Sequence, residues 1–165
     1  MGLIVRVTLD GRLAESYAYD AQGNRTAVRI PLRGIDSTLT GTFDTEDRAT
    51  ALGDATYAYT PDGYLALKHS EEGTTTFTYS AFGELESVTL ADGRHVSYTY
   101  DAAGRRTSKA VDGAVTQRYL WADTTRLLAV YDGAGALQMR FLYADGRVPY
   151  AADTPSGRIF FAYDQ

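Results

Sequence analysis

The chain has 165 residues, 16 Lys and Arg against 21 Asp and Glu, and a formal net charge of −5 at pH 7. This acidic balance argues against a nucleic-acid partner, because phosphate binding needs clustered cations. The lack of cysteine excludes disulfides and thiolate metal sites, and no apolar run approaches the length of a transmembrane span.

Aromatic residues recur along the chain as pairs whose members are separated by one residue. The seven aromatic pairs are Tyr17/Tyr19, Tyr57/Tyr59, Phe77/Tyr79, Tyr98/Tyr100, Tyr119/Trp121, Phe141/Tyr143 and Phe161/Tyr163. The second members are 40, 20, 21, 21, 22 and 20 residues apart, and the step of 40 equals two units with one pair lost. A period near 20 residues fits two short strands and two turns, which predicts a repeat protein.

A common turn sequence follows the aromatic pairs. Residues 17–26 match residues 98–107 position for position, and residues 57–65 and 77–85 are weaker copies. Asp20 and Asp101 are expected to accept hydrogen bonds from turn amides. Three residues after each capping position, a glycine is expected to supply the positive φ that closes the turn; these glycines are Gly23, Gly63, Gly83 and Gly104.

The turns at the other end of each unit are indicated by a second set of sequences, namely Asp10-Gly11, Glu72-Gly73, Asp92-Gly93 and Asp112-Gly113. Asp-Gly between alternating runs is a strong signal for a hairpin. Residues 27–56 are the least regular stretch and contain a degenerate copy at 42–48. No helical periodicity is sustained. We therefore predict an all-β antiparallel ribbon of about eight stacked hairpins, an open curved sheet that forms a single domain over residues 1–165.

The recurring sequence Tyr-x-Tyr-Asp-x-x-Gly-(Asn/Arg)-Arg-Thr resembles the YD repeats of the Rhs/YD-repeat family, and the resemblance covers essentially all of the chain. That family includes bacterial polymorphic toxins, the C component of insecticidal Tc toxin complexes and the animal teneurins. The resemblance implies a β-ribbon that spirals into a hollow shell, which in bacteria typically encloses a C-terminal toxin. This chain would supply an arc of such a shell.

The resemblance also implies a fragment of a larger bacterial protein that is secreted or displayed at the cell surface. Residues 1–6 contain no apolar stretch of signal-peptide length. Family members that release their cargo cleave themselves at an Asp-Pro-x-Gly-Leu type motif. The sequence contains no Asp-Pro, so self-cleavage by this chain is not expected.

Candidate catalytic and metal-binding residues are few. His69 and His95 lie beside turns without the Ser/Asp/His spacing of a nucleophilic site, which favours a solvated or packing role. Adjacent acids such as Glu71-Glu72 and Glu46-Asp47 point to opposite faces of a strand and cannot converge on one bond. The Asp and Gly residues lack the Asp-x-Asp-x-Asp density of calcium repeats, which leaves calcium a minor alternative to turn capping. The sequence therefore predicts no enzyme, no cofactor and no metal site.

The aromatic pairs have two possible roles. If they are buried, they hold neighbouring units together, which is the favoured interpretation; if they are exposed, they could bind glycans. Arg25, Arg106 and Arg147 are expected to pair with carboxylates of neighbouring turns. The expected partners are neighbouring repeats of the parent protein, an enclosed toxin domain and, through unpaired edge strands, a second copy of the chain.

Overall fold

The structure, a computed structural model, describes residues 2–163 and is built almost entirely from strands. Sixteen strands lie within this range: β1 Arg6–Leu9, β2 Arg12–Tyr19, β3 Arg25–Ile30, β4 Ile35–Phe43, β5 Ala49–Leu52, β6 Ala55–Tyr59, β7 Leu65–Ser70, β8 Gly73–Tyr79, β9 Leu85–Thr89, β10 His95–Tyr100, β11 Arg106–Val111, β12 Ala114–Trp121, β13 Leu127–Asp132, β14 Leu137–Leu142, β15 Ala151–Thr154 and β16 Gly157–Phe160. A three-residue 3₁₀ turn at Pro31–Arg33 joins β3 to β4. Within the described part of the chain, no helix is long and apolar enough to cross a membrane.

The strands form an open antiparallel sheet whose strand order is the chain order, from β1 to β16. Sixteen strands, two per repeat, agree with the predicted ribbon of about eight hairpins, and the all-β prediction is confirmed. The chain falls into two compact units, residues 1–75 and 76–165. A single domain over residues 1–165 stays a prediction.

A β-bulge accompanies the second aromatic position of almost every repeat. In the first unit, Ala18 pairs with Ala27 but Tyr19 pairs with Arg25, so one residue of β3 has no partner in this ladder. The same shift follows Thr42 and Ala58 in the first unit, and Thr78, Thr99 and Leu120 in the second. Bulges increase local twist and redirect side chains. The sequence analysis did not predict this repeated feature.

Each of the two compact units has a thin core. The buried apolar residues are Ala14 and Val28 in the first unit, and Val88, Val96, Ala129, Ala151 and Ala152 in the second. No large side chain of the described residues is fully buried. Strand pairing between chain neighbours therefore carries much of the stability that a packed second layer supplies in a sandwich.

Two kinds of turn connect the strands. Asp10-Gly11 and Asp112-Gly113 are two-residue turns in which all four residues have φ between 48° and 82°, as expected for type I′ hairpins. Asp92-Gly93 differs from that expectation, because it lies inside a five-residue turn that the Leu90 amide and the Arg94 carbonyl close. Gly73 also differs, because it is the first residue of β8.

Candidate functional surface: the aromatic stripe

The aromatic pairs lie on one face of each unit, and we call this row of rings the aromatic stripe. In the second unit, Phe77 pairs with Val88 and Val88 pairs with Val96, which places all three on the face of Tyr98 and Tyr100. The stripe rings are half-buried, except Tyr163, which is 56% exposed. The residues between pair members, such as Thr78 and Thr99, are exposed on the opposite face.

The second ring of a pair makes a side-chain hydrogen bond to a distant backbone carbonyl. The donors and acceptors are Tyr19 to Ile4, Tyr59 to Ala49, Tyr100 to Leu85, Trp121 to Arg106, Tyr143 to Leu127 and Tyr163 to Pro149, at 2.6 to 3.0 Å. In four of the six, the acceptor is the first residue of the preceding strand. A buried hydroxyl or indole N–H needs such a partner.

These bonds link consecutive repeats. Leu127, which accepts from Tyr143, is paired in the sheet with Trp121. Trp121 in turn donates its indole N–H to Arg106, and Arg106 is paired with Tyr100. In these two bonds, and in those of Tyr59 and Tyr100, the second-position ring bonds to the residue that faces the corresponding ring of the previous repeat. This arrangement couples nearest neighbours, as in other repeat proteins.

In two of the pairs, the first ring contacts arginine. The guanidinium carbon of Arg25 lies 4.5 Å from the ring centre of Tyr17, and that of Arg106 lies 3.9 Å from the ring centre of Tyr98. These are cation–π distances. The expectation that Arg25 and Arg106 pair with turn carboxylates is therefore wrong: the contacts of both are with rings. Arg147 lies in an irregular segment and is exposed.

Arginines one position earlier make the ion pairs. Arg105 contacts Asp101 at 2.7 Å, and Arg48 contacts Asp44 at 2.7 Å. Both aspartates also accept hydrogen bonds from backbone amides of their own turns. The side-chain hydrogen bond from Arg105, followed by the backbone N–H of Arg105, lowers the pKa of Asp101. These carboxylates stabilise the turn in their charged form.

The remaining predicted turn residues are placed as follows. Asp20 accepts hydrogen bonds from the backbone N–H groups of Gln22 and Asn24. Burial raises the pKa of Asp20, but the hydrogen bonds from Asn24, with those of Gln22 and Gly23, outweigh it and leave the pKa lowered. The turn glycines have φ of 93°, 86°, 84° and 72° at Gly23, Gly63, Gly83 and Gly104.

The irregular stretch, residues 27–56, contains the position of the aromatic pair that is missing from the repeat. The turn at 44–48 has the same hydrogen bonds as the regular turns, with Asp47 at φ 60° in the glycine position. By this register, Gly41 stands at the first ring position and Phe43 at the second. A Cβ on Gly41 would lie 3.0 Å from the Arg25 carbonyl oxygen. A side chain at this position would be crowded, which explains why glycine stands there. An open groove of about 820 Å³ lies beside Gly41 and Phe43.

The histidines lie at the edges of strands, away from the stripe. His69 Nδ1 lies 2.9 Å from the Thr74 hydroxyl, and His95 Nδ1 lies 3.5 Å from the Thr89 hydroxyl. Among residues 2–163, no group of three or more His, Cys, Asp or Glu side chains is arranged to hold a metal. Glycan binding by the stripe stays a prediction; its rings are half-buried and most second-position polar atoms are bonded to backbone.

Sequence reasoning missed the side-chain to carbonyl bonds, although the sequence contains a signal for them. The second position of all seven aromatic pairs carries Tyr or Trp, whereas Phe occurs at three first positions, Phe77, Phe141 and Phe161. Each pair therefore has a polar atom at the position from which a backbone carbonyl can be reached. Conservation of polarity at one position of a repeat indicates a hydrogen bond rather than packing alone.

The antiparallel hairpin units, their repeated bulge and the stripe define this chain as a β-hairpin repeat segment of the YD/Rhs type. The sequence profile described as teneurin YD-shell matches residues 1–165. The chain belongs to this family, which confirms the resemblance drawn from the Tyr-x-Tyr-Asp-x-x-Gly sequence.

Individual relatives are much longer than this chain. It is 31% identical to teneurin-3 of Mus musculus over 173 aligned residues, which cover 97% of this chain and 6% of that protein. It is 27% identical to the tRNA nuclease WapA of Bacillus subtilis over 157 residues, 94% of this chain and 6% of that protein. The crystal structure of TcdB2-TccC3-TEV shares its fold, with a TM-score of 0.50, 14% identity, and coverage of 92% of this chain and 9% of that one.

Proposed function

We propose that this chain is a wall segment of a shell that encloses a C-terminal toxin or effector of the same parent protein. The observation that carries the proposal is the bonding of six second-position rings to the preceding repeat, as in Tyr143 to Leu127. Units with thin cores depend on their neighbours for stability. Such units suit a continuous wall better than an isolated binding module. Membership of the YD-shell family supports the same role.

The enclosure is tested on the full-length parent protein carrying a C-terminal epitope tag. Substituting Tyr98→Ser together with Tyr100→Ser removes two stripe rings and should open the wall, so that protease digests the tag. The tag should survive in the wild type and in Thr99→Ala, a matched control between the two rings on the exposed face. Equal digestion of the wild type and the double variant would contradict enclosure.

The wall segment is non-catalytic in this proposal. Both histidines contact threonine hydroxyls, and the turn carboxylates Asp101 and Asp44 are held by arginines. The word nuclease in the name of WapA describes a protein of which this chain matches 6%. Incubation of the chain with total tRNA should yield no cleavage products. Cleavage that disappears in His69→Ala or His95→Ala would overturn this part of the proposal.

The parent protein is exported, and residues 1–165 act within it as one domain whose partners are the adjacent repeats. Fractionation of the producing cells should recover the parent in the medium or at the cell surface. Recovery from the cytoplasm alone would contradict export but would leave the proposed wall role unaffected.

A further inference from the structure

A pocket of about 360 Å³ opens on the stripe face of the second unit. Its walls include the rings of Tyr100, Tyr119 and Trp121, and the turn that carries Arg105 lies at its side. Arg106 and Thr124 complete the polar part of the lining. Apolar walls with few polar groups are typical of small-molecule sites.

The two arginines of this pocket differ in their partners. Arg105 is paired with Asp101 at 2.7 Å. Arg106 instead lies over the Tyr98 ring, with its Nη2 donating to the Tyr100 hydroxyl at 3.3 Å. Its Nε is buried and lacks a hydrogen-bond partner, the only such side-chain atom in the described part of the chain. Arg106 is therefore a half-buried cation without a carboxylate, which is unfavourable unless an anion compensates it.

In the first unit, the ring beneath the corresponding arginine is hydrogen-bonded to a carboxylate. Arg25 lies over Tyr17, and the Tyr17 hydroxyl donates to Glu15, two residues earlier on the same strand. The residue two positions before Tyr98 is Val96, which is apolar and buried. The second unit thus keeps the ring and the arginine but has lost the carboxylate that accompanies them.

We propose that the pocket at Arg106 binds a small organic carboxylate with a ring-sized apolar body. The guanidinium supplies charge-assisted hydrogen bonds to the carboxylate, while Tyr119 and Trp121 pack against the body of the ligand. The site is separate from the wall function, because the ligand would bind the Arg106 guanidinium, whereas the bond between repeats uses the Arg106 backbone carbonyl.

Trp121 is the single tryptophan of the chain, so its fluorescence reports directly on this pocket. Cyclohexanecarboxylate is transparent at the excitation wavelength and has a neutral isostere, cyclohexanecarboxamide. We expect a saturable change with the carboxylate, with a dissociation constant on the order of 1 mM, and binding of the amide at least about tenfold weaker. An equal response to both compounds, or no saturation with the carboxylate, would overturn the proposal.

Two variants locate the binding. Arg106→Gln should weaken carboxylate binding at least about tenfold, whereas Arg25→Gln, at the matching position of the first unit, should leave it unchanged. Because Arg106 also supports the neighbouring rings, Thr124→Glu serves as an independent variant in an exposed turn. Its added carboxylate should occupy Arg106 and abolish binding, while Thr124→Gln should retain it. Full binding by Thr124→Glu would refute the assigned site.

Discussion

The Tyr143 hydroxyl donates a 2.9 Å hydrogen bond to the backbone carbonyl of Leu127, which is the sheet partner of Trp121. Tyr143→Phe removes this bond and keeps the ring, so the free energy of unfolding should fall by about 1 kcal/mol. Tyr119→Phe is the matched control, because its hydroxyl bonds to Gln117 on its own strand and that amide can turn to water. Urea unfolding of both variants measures the difference. Equal losses would mean that the bond between repeats adds nothing specific.

Phe43 offers the reverse substitution in the first unit. The carbonyl of Arg25, the first residue of β3, is the acceptor that the pattern assigns to the second position of this repeat. A Cβ on Gly41 would stand 3.0 Å from that carbonyl and 3.4 Å from Phe43 Cε2, so the ring edge and the carbonyl lie close together. Phe43→Tyr should therefore raise the free energy of unfolding by about 0.5 to 1.5 kcal/mol.

The control for this gain is Phe141→Tyr, at a first position whose ring stacks on Phe161 at 6.2 Å. First-position rings do not reach the preceding carbonyl, so no comparable stabilisation is expected. Chemical denaturation of both variants makes the comparison. Stabilisation of Phe141→Tyr alone would show that the register assigned to Phe43 is wrong.

The sequence was sufficient to predict the strand repeat because period, turn glycines and aromatic spacing all point to one register. It could not place Arg25 and Arg106, because a guanidinium near both a ring and a carboxylate has two similar partners. The repeated bulge was also unpredictable. A bulge changes which residues face each other without changing the residue types on each strand, so Thr107, which has no partner in this ladder, cannot be told from a regular strand residue by its type.

Gly133 is a position where any side chain should be costly. A Cβ there would stand 1.8 Å from the Val115 carbonyl oxygen, so β12 or the turn after β13 must move. Gly133→Ala should lower the free energy of unfolding by up to about 3 kcal/mol. Gly135, in the same turn at φ 89°, has open space around its missing Cβ, so Gly135→Asn should cost only the strain of the left-handed backbone, about 1 kcal/mol. Thermal unfolding separates the two, and similar losses would contradict the contact with Val115.

Asp153 should make stability depend on pH. Its carboxylate accepts hydrogen bonds from Arg158 at 2.7 Å and Arg140 at 2.9 Å, and these arginines, Arg158 first, lower its pKa from 3.8 to about 2. The pKa of Asp153 in the folded protein lies below its ordinary value of 3.8. The stabilisation of the fold by this carboxylate is therefore complete above the ordinary pKa and is lost as the pH falls through about 2. The difference in unfolding midpoint between the wild type and Asp153→Asn should therefore shrink in acid.

A matched control for this titration is Thr99→Ala, at an exposed and uncharged side chain of the second unit. The difference in unfolding midpoint between this variant and the wild type should stay nearly constant over the same pH range. Urea midpoints recorded between about pH 2 and pH 6 provide the comparison. A difference for Asp153→Asn that persists unchanged at the lowest pH would rule out the paired carboxylate as its source.

The first strand of the sheet order should promote self-association of the isolated chain. β1 is bonded to β2 on one side, and its Val7 and Leu9 are 37% and 58% exposed. An unpaired strand edge with apolar side chains favours pairing with another chain, and lysine on the edge opposes it. Light scattering at high concentration should show dimers or larger assemblies for the wild type and fewer for Val7→Lys. Leu120→Lys, on β12 between two paired strands, should leave association unchanged, and a wild type that stays monomeric would refute the prediction.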